Sequence, residues 1–153
     1  MVEKSNDASV VIWTTTPWTI PANQAVSFSE SISYGLFEVE DVMTEEELGF
    51  APYALPGDKL VIAEALAEAV MSGAKVKKYK SIGAVPSTVL DNMRLNHPLA
   101  ELGEFFQHEI PMLPGDHVTA DAGTGFVHTA PAHGEDDYNV WIASGRSLSL
   151  IHI

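Results

Sequence analysis

Proline and glycine interrupt this chain so often that long helices are excluded and short strands joined by turns are favoured. Val10 to Thr16 is a run of Val, Ile, Trp and Thr that stops at Pro17, as a strand leading into a turn does. Ala25 to Phe28 and Tyr34 to Val39 set apolar residues between Ser, Gly and acidic breaks. They predict two more strands, with an antiparallel meander as the simplest connection. Asp41 to Asp58 holds Gly49, Pro52, Pro56 and Gly57 among its acids and reads as an inserted loop. Lys59 to Ile62 predicts a strand. Glu64 to Met71 predicts an amphipathic helix with Leu66, Ala69 and Val70 on one side, ended near Gly73. From Val76 to His97 the pattern is β-like and irregular, punctuated by Pro86 and Pro98. Pro114-Gly115 marks a turn, His117 to Ala120 a strand, Gly123-Thr124-Gly125 a tight turn, and Phe126 to Ala130 a strand ended by Pro131. Gly134 then precedes Glu135, Asp136 and Asp137, carboxylates suited to a helix N-terminus, and Tyr138 to Ala143 continues as helix.

Composition bounds the function. With 153 residues, 46% of them hydrophobic, the chain can bury the core of one domain. No stretch approaches the roughly 18 to 20 apolar residues that span a bilayer. The start, MVEKSNDASV, lacks the apolar run of a secretory signal, so a cytoplasmic, membrane-free protein is expected. The absence of cysteine excludes a disulfide framework, a thiolate metal site and a cysteine nucleophile. A net charge of -13 argues against strong autonomous binding of nucleic acid, which usually requires a basic face. Glu38, Glu40, Asp41, Glu45, Glu46 and Glu47 crowd one segment and read as a solvated loop. The basic cluster Lys75, Lys77, Lys78 and Lys80 suits a protected sheet edge or a phosphate contact equally. Residues 1–9 are expected to be a polar leader, 10–144 the functional domain, and 145–153, which stop in an apolar stretch without a cap, a truncated or foreign tail.

Two segments could carry chemistry. Thr14-Thr15-Thr16, followed by Pro17, Trp18, Thr19 and Asn23, offers hydroxyls that can meet a ribose, carboxylate or ester oxygen, although strand propensity alone explains the run better. Gly123 to Tyr138 places His128 near a strand end and Asp136 and Asp137 at the next helix start, so that a strand, a turn and a helix converge on one cleft. Asp137 could hold a substrate ammonium there, but helix electrostatics accounts for both aspartates as well as a ligand does. His128, His133, Asp136 and Asp137 could also be metal ligands. The two histidines, however, stand five apart across Pro131, away from the four-residue helical spacing of common zinc hydrolases. No serine lies in a G-x-S-x-G setting, and the glycine pair lacks the spacing and lysine of a phosphate loop.

"WTTTPWTIPAN" (Trp13 to Asn23) and "GDHVTADAGTGFVHTAPAHGEDDY" (Gly115 to Tyr138) together resemble the editing domain inserted in the catalytic core of isoleucyl-tRNA synthetases. Thr16 stands where related valyl and leucyl enzymes have arginine. His128-Thr129 forms a pair that those enzymes lack, which favours the isoleucyl family. The two motifs lie near the ends of the chain, and the residues between them match only loosely.

The resemblance implies an α+β domain, β-barrel-like with a few peripheral helices, that acts as an aminoacyl-tRNA deacylase on valyl-tRNA(Ile), with valyl-adenylate as a second candidate substrate. It implies that Thr14, Thr15 and Thr16 line the pocket for the aminoacyl ester and terminal adenosine, with Thr15 among the catalytic residues and Asn23 a polar support. Asp137 would bind the amino group, and His128 would form the wall that admits valine and rejects isoleucine. His133 and Asp136 match the motif without an assignable role. No cofactor or metal is expected. The expected partners are the valine-bearing 3′ end of tRNA(Ile) and the remainder of the synthetase chain, with the protein a monomer. A second sieve has an energetic rationale: one methylene separates the two amino acids, and binding discriminates them only about 150-fold in isoleucyl-tRNA synthetase itself. The alternatives are a metal-dependent hydrolase built on His128, His133 and Asp137, and a noncatalytic module that binds the tRNA end or an amino acid.

Overall fold

The computed structural model describes residues 8–146, so the expected leader and tail lie almost wholly outside it. In chain order the elements are β1 (Ala8–Val10), β2 (Ala25–Phe28), β3 (Tyr34–Val42), α1 (Glu45–Leu48), β4 (Lys59–Ala63), α2 (Ala67–Gly73), β5 (Val76–Val85), α3 (Ser87–Asn92), β6 (Arg94–Asn96), β7 (Glu109–Pro114), β8 (Val127–Thr129) and α4 (Glu135–Ala143). Short 3-10 helices intervene, among them Pro17–Ala22. Among the described residues no helix is long and apolar enough to cross a membrane.

The strands form two four-stranded sheets, ordered β1-β4-β3-β5 and β6-β7-β2-β8. The class is α+β with few helices, and the sheets stay open instead of closing into a barrel. A cleft of about 490 Å³ separates the free edges of β1 and β6, lined by Val10, Ile12, Val26, Val61, Leu95 and Ile110 among others.

The first three strands do not make a meander. β3 pairs antiparallel with β4 and β5, and β1 pairs parallel with β4. β2 lies in the other sheet, between β7 (parallel) and β8 (antiparallel). All four residues of β2 are buried, which requires cover on both faces and suits a central strand. Tyr34 fixes the passage between sheets: its hydroxyl donates to the Gly125 carbonyl at 2.6 Å and accepts from the Ser29 N–H at 2.9 Å. Its ring lies 4.5 Å from that of Phe126.

The strand expected through Thr16 ends early because the backbone changes sheets. The Val11 N–H still reaches the Val61 carbonyl at 3.3 Å, but the Trp13 N–H donates to the Phe126 carbonyl at 2.7 Å, and the His128 N–H donates back to Trp13 at 3.2 Å. Trp13 thus bridges Val127 in parallel, and the threonines lie beyond this last bridge.

The loop expected at 41–58 is partly regular. β3 runs on to Val42, and α1 follows behind a reciprocal cap in which Thr44 Oγ1 accepts from the Glu47 N–H at 3.3 Å and Glu47 Oε2 accepts from the Thr44 N–H at 2.8 Å. The irregular region 76–97 resolves into β5, α3 and β6. His117 to Ala120 is not a strand. The Gly115 N–H donates to Phe28 at 2.8 Å as the chain turns away from β2, and the strand of this region is β7 instead, upstream of the turn.

Val26, Phe28, Tyr34, Val61, Leu90, Ile110, Met112 and Phe126 form one core. Phe37, Val39, Ile62, Ala67 and Met71 form a second one with α2. Each fully buried large side chain contributes roughly 1.5–3 kcal/mol.

Candidate functional site

Alternation along β8 separates two neighbouring side chains with different tasks. Thr129 is fully buried, donates to the Val127 carbonyl at 3.1 Å and meets Ser27 Oγ at 2.7 Å, so it knits β8 to β2. His128 instead contacts the segment around Pro17–Ala22 and is 4% exposed.

His128 is held at both ring nitrogens. Asn23 lies 2.8 Å from Nδ1. With the amide oxygen on that side, Asn23 would also take a 3.4 Å bond from the Thr129 N–H. With the nitrogen there, it donates to His128 Nδ1 at 2.8 Å and to the Ala25 carbonyl at 2.7 Å, with Thr129 O at 3.3 Å. The second orientation satisfies more partners, and we adopt it. It makes Nδ1 an acceptor, so Nε2 carries the proton and donates to Thr19 Oγ1 at 2.9 Å. Thr19 passes its own proton to the Thr16 carbonyl at 2.8 Å. The chain of donors is thus complete with a neutral imidazole. Burial lowers the His128 pKa below its ordinary 6.5, opposed by the charge of Asp137 and reinforced by His97 and His133.

The three threonines lead into the 3-10 helix that holds Thr19. Thr14 Oγ1 accepts from the Thr16 N–H at 3.1 Å, which turns the backbone into the 3-10 helix. Thr16 stands at the N-cap position of that helix, with φ -130° and ψ 68° and no side-chain cap, and its hydroxyl lies 3.4 Å from that of Thr19. Thr15 and Thr16 are exposed. Asp137 sits in the first turn of α4, partly buried, and its Oδ2 accepts from the Ala130 N–H at 3.0 Å, tying the end of β8 to the helix. His133 and Asp136 are exposed; His133 acts on His128 only through its charge.

The structure thus bonds Asn23 directly to His128, links His128 to the Thr16 backbone through Thr19, and sets Asp137 within electrostatic reach. Sequence reasoning assigned no role to Thr19, although it lies inside the first motif. Its partner is 109 residues away, and no local spacing announces the contact. His97 and His108, which support the same 3-10 helix, were likewise without a role. Both ring nitrogens of His128 are occupied by protein groups, and among the described residues no three acidic or histidine side chains gather as a ligand set. Asn23 also reaches the large cleft between the sheet edges, which is otherwise lined by residues outside this cluster.

No family model matches the chain. It is 57% identical over 139 residues to the isoleucine–tRNA ligase of Caulobacter vibrioides, covering 91% of this chain and 14% of that protein. It is 48% identical over 141 residues to that of Bradyrhizobium diazoefficiens, covering 92% and 14%. The chain therefore spans about one seventh of the length of these relatives. Among solved structures, the editing domain of the cytosolic leucyl-tRNA synthetase of P. falciparum superposes with a TM-score of 0.61 at 13% identity, covering 97% of this chain and 53% of that one. The GlLeuRS-CP1 crystal structure does so with a TM-score of 0.61 at 20% identity, covering 88% and 44%. Sequence likeness places nearly the whole chain inside the ligases, and the structural likeness independently gives its fold. The chain therefore belongs to the isoleucine–tRNA ligase family, as one segment of such a ligase with the fold of a synthetase editing domain.

Proposed function

We propose that this segment hydrolyses the ester of misacylated tRNA(Ile), with valine as the amino acid removed. The observation that carries the reading is the buried, neutral His128, held between Asn23 and Thr19, with Thr19 bonded to Thr16 at the end of the threonine run and the carboxylate of Asp137 within electrostatic reach. A rigid imidazole wall limits the size of the side chain that enters. In this reading Thr14, Thr15 and Thr16 meet the terminal ribose and the ester, and Asn23 acts through His128. Asp137 Oδ2 accepts from the Ala130 N–H, and in this reading the half-buried carboxylate also meets the substrate ammonium.

An aminoacyl ester is already activated. The site therefore needs only to orient a water against the ester carbon, anchor the ammonium and steady the oxyanion, while the ribose hydroxyl leaves with a proton. No covalent intermediate is required. A hydroxyl of the terminal ribose is a suitable partner for the attacking water.

The test is deacylation of valyl-tRNA(Ile) and isoleucyl-tRNA(Ile) side by side. Selective release of valine supports the proposal. Binding of the charged tRNA end without release would make the segment a noncatalytic module, and release abolished by a chelator would favour a metal-dependent hydrolase.

A further inference from the structure

We infer that His97 is a positioning residue for the same pocket: with His108, it braces the C-terminal end of the 3-10 helix Pro17–Ala22 and so holds Thr19 and Asn23 against His128. The inference rests on the reading of His128 as the pocket wall. His97 is 2% exposed and comes from the segment between β6 and β7, which the two recognisable motifs do not include. Its Nδ1 accepts from the Leu99 N–H at 3.0 Å, which leaves the proton on Nε2, where it is donated to the Ile20 carbonyl at 3.1 Å. Asn23 lies three residues on from Ile20; the Nε2–H tautomer of His108 donates to its carbonyl at 3.4 Å, and Nδ1 then faces the Phe105 carbonyl at 3.1 Å without a proton to give. The ring of His97 is pinned between Phe106, at 5.0 Å, and His108, at 5.6 Å.

The helix needs such support. It is a single short 3-10 segment with no side-chain cap at its start and a proline inside it, so its conformation depends on outside contacts. Thr19 and Asn23, the two residues that fix the His128 ring, flank the Ile20 carbonyl on which His97 acts. A buried imidazole with both nitrogens satisfied is also a costly way to fill space, since an apolar side chain of similar size would need no partners. Burial and the nearby His108 lower the pKa of His97, in keeping with the neutral form that this pair of bonds requires.

Two substitutions separate the brace from a role in the loop itself. In His97→Gln the amide nitrogen reaches the place of Nε2 and can donate to Ile20, whereas in His97→Asn the amide oxygen takes the place of Nδ1 and can only close the Leu99 turn. Deacylation by His97→Gln is expected to stay within about twofold of the parent, and kcat of His97→Asn to fall about tenfold with little change in KM, roughly the worth of one hydrogen bond. The ring nitrogen NMR signals of His128 should keep the Nε2–H pattern in His97→Gln and lose it in His97→Asn. If His97→Asn matches the parent in both rate and ring signals, or the two variants rank in reverse, the brace is overturned. If the parent itself releases no amino acid, the proposed function fails, while the His128 signals still decide the brace.

Discussion

Asp137 ties the end of β8 to α4 through one oxygen, and the proposed hold on the substrate ammonium is a second role that a substitution can separate from the first. Asp137→Asn keeps an acceptor for the Ala130 N–H but removes the charge offered to a substrate ammonium. Deacylation of valyl-tRNA(Ile) should fall by about one to two orders of magnitude, the worth of a charged hydrogen bond of roughly 1.5–3 kcal/mol, with the melting temperature nearly unchanged. A deacylation rate equal to the parent's would remove Asp137 from the substrate site. His128→Ala tests the wall. Opening that space should admit isoleucine, whose extra methylene is worth about 0.8 kcal/mol in a dry pocket, so that release from isoleucyl-tRNA(Ile) appears while release from valyl-tRNA(Ile) persists. Loss of both activities in a folded variant would instead mark His128 as part of the chemistry. His97 and His128 also set a pH dependence of stability. Both have pKa values lowered from 6.5, so between that value and their folded pKa the unfolded chain binds more protons. Their contribution is fully present above about pH 6.5 and declines as pH falls through the window below it. Urea unfolding at pH 7.5 and 5.5 should show lower stability in acid, and His97→Gln should flatten the difference.

At the level of elements, sequence and structure agree where a signal is local. Ala25–Phe28, Lys59–Ala63 and Glu135–Ala143 follow from β-rich composition, turn breaks and acidic residues at a helix start. What the pattern could not carry is partnership. Alternation tells which face of a strand is apolar but not which sheet receives it, and so β2 and β3 read as neighbours although they lie in different sheets. β7 was hidden by Pro111 and Pro114, residues that ordinarily argue against a central strand. Of the site, Thr14–Thr16, Asn23, His128 and Asp137 stood out because they fall in two dense motifs, whereas Thr19 and His97 gain meaning only from contacts across the fold. The glycine turn was legible and has a specific cause. Gly123 has φ +80°, and a Cβ there would meet Trp13 Cγ at 2.6 Å. Gly123→Ala should destabilise the protein by about 2 kcal/mol or more, through left-handed strain and displacement of the indole, as a lowered urea midpoint would show.

For the molecule as a whole, the excess of acid is partly absorbed by its own lysines. Lys80 pairs with Glu38 at 3.1 Å, Lys78 with Glu40 at 3.5 Å and Lys77 with Glu47 at 3.0 Å, along the edge strand β5. Such exposed pairs stabilise little, but they engage three lysines of the basic cluster that could have met phosphate. The crossing of the backbone from one sheet to the other has a different reach. Val11 is bonded to β4 and Trp13 to the residues around β8, so neither sheet can detach without breaking the short segment they share. Opening should therefore be concerted, with the Trp13 and His128 amides exchanging their protons for deuterium only at the rate of global unfolding. Exchange of those two amides well ahead of the β2 and β4 core would show that the sheets come apart independently. If it is concerted, a destabilising change anywhere in either sheet drains the population of molecules in which His128 is held in place, and the proposed proofreading would become a readout of the stability of both sheets together.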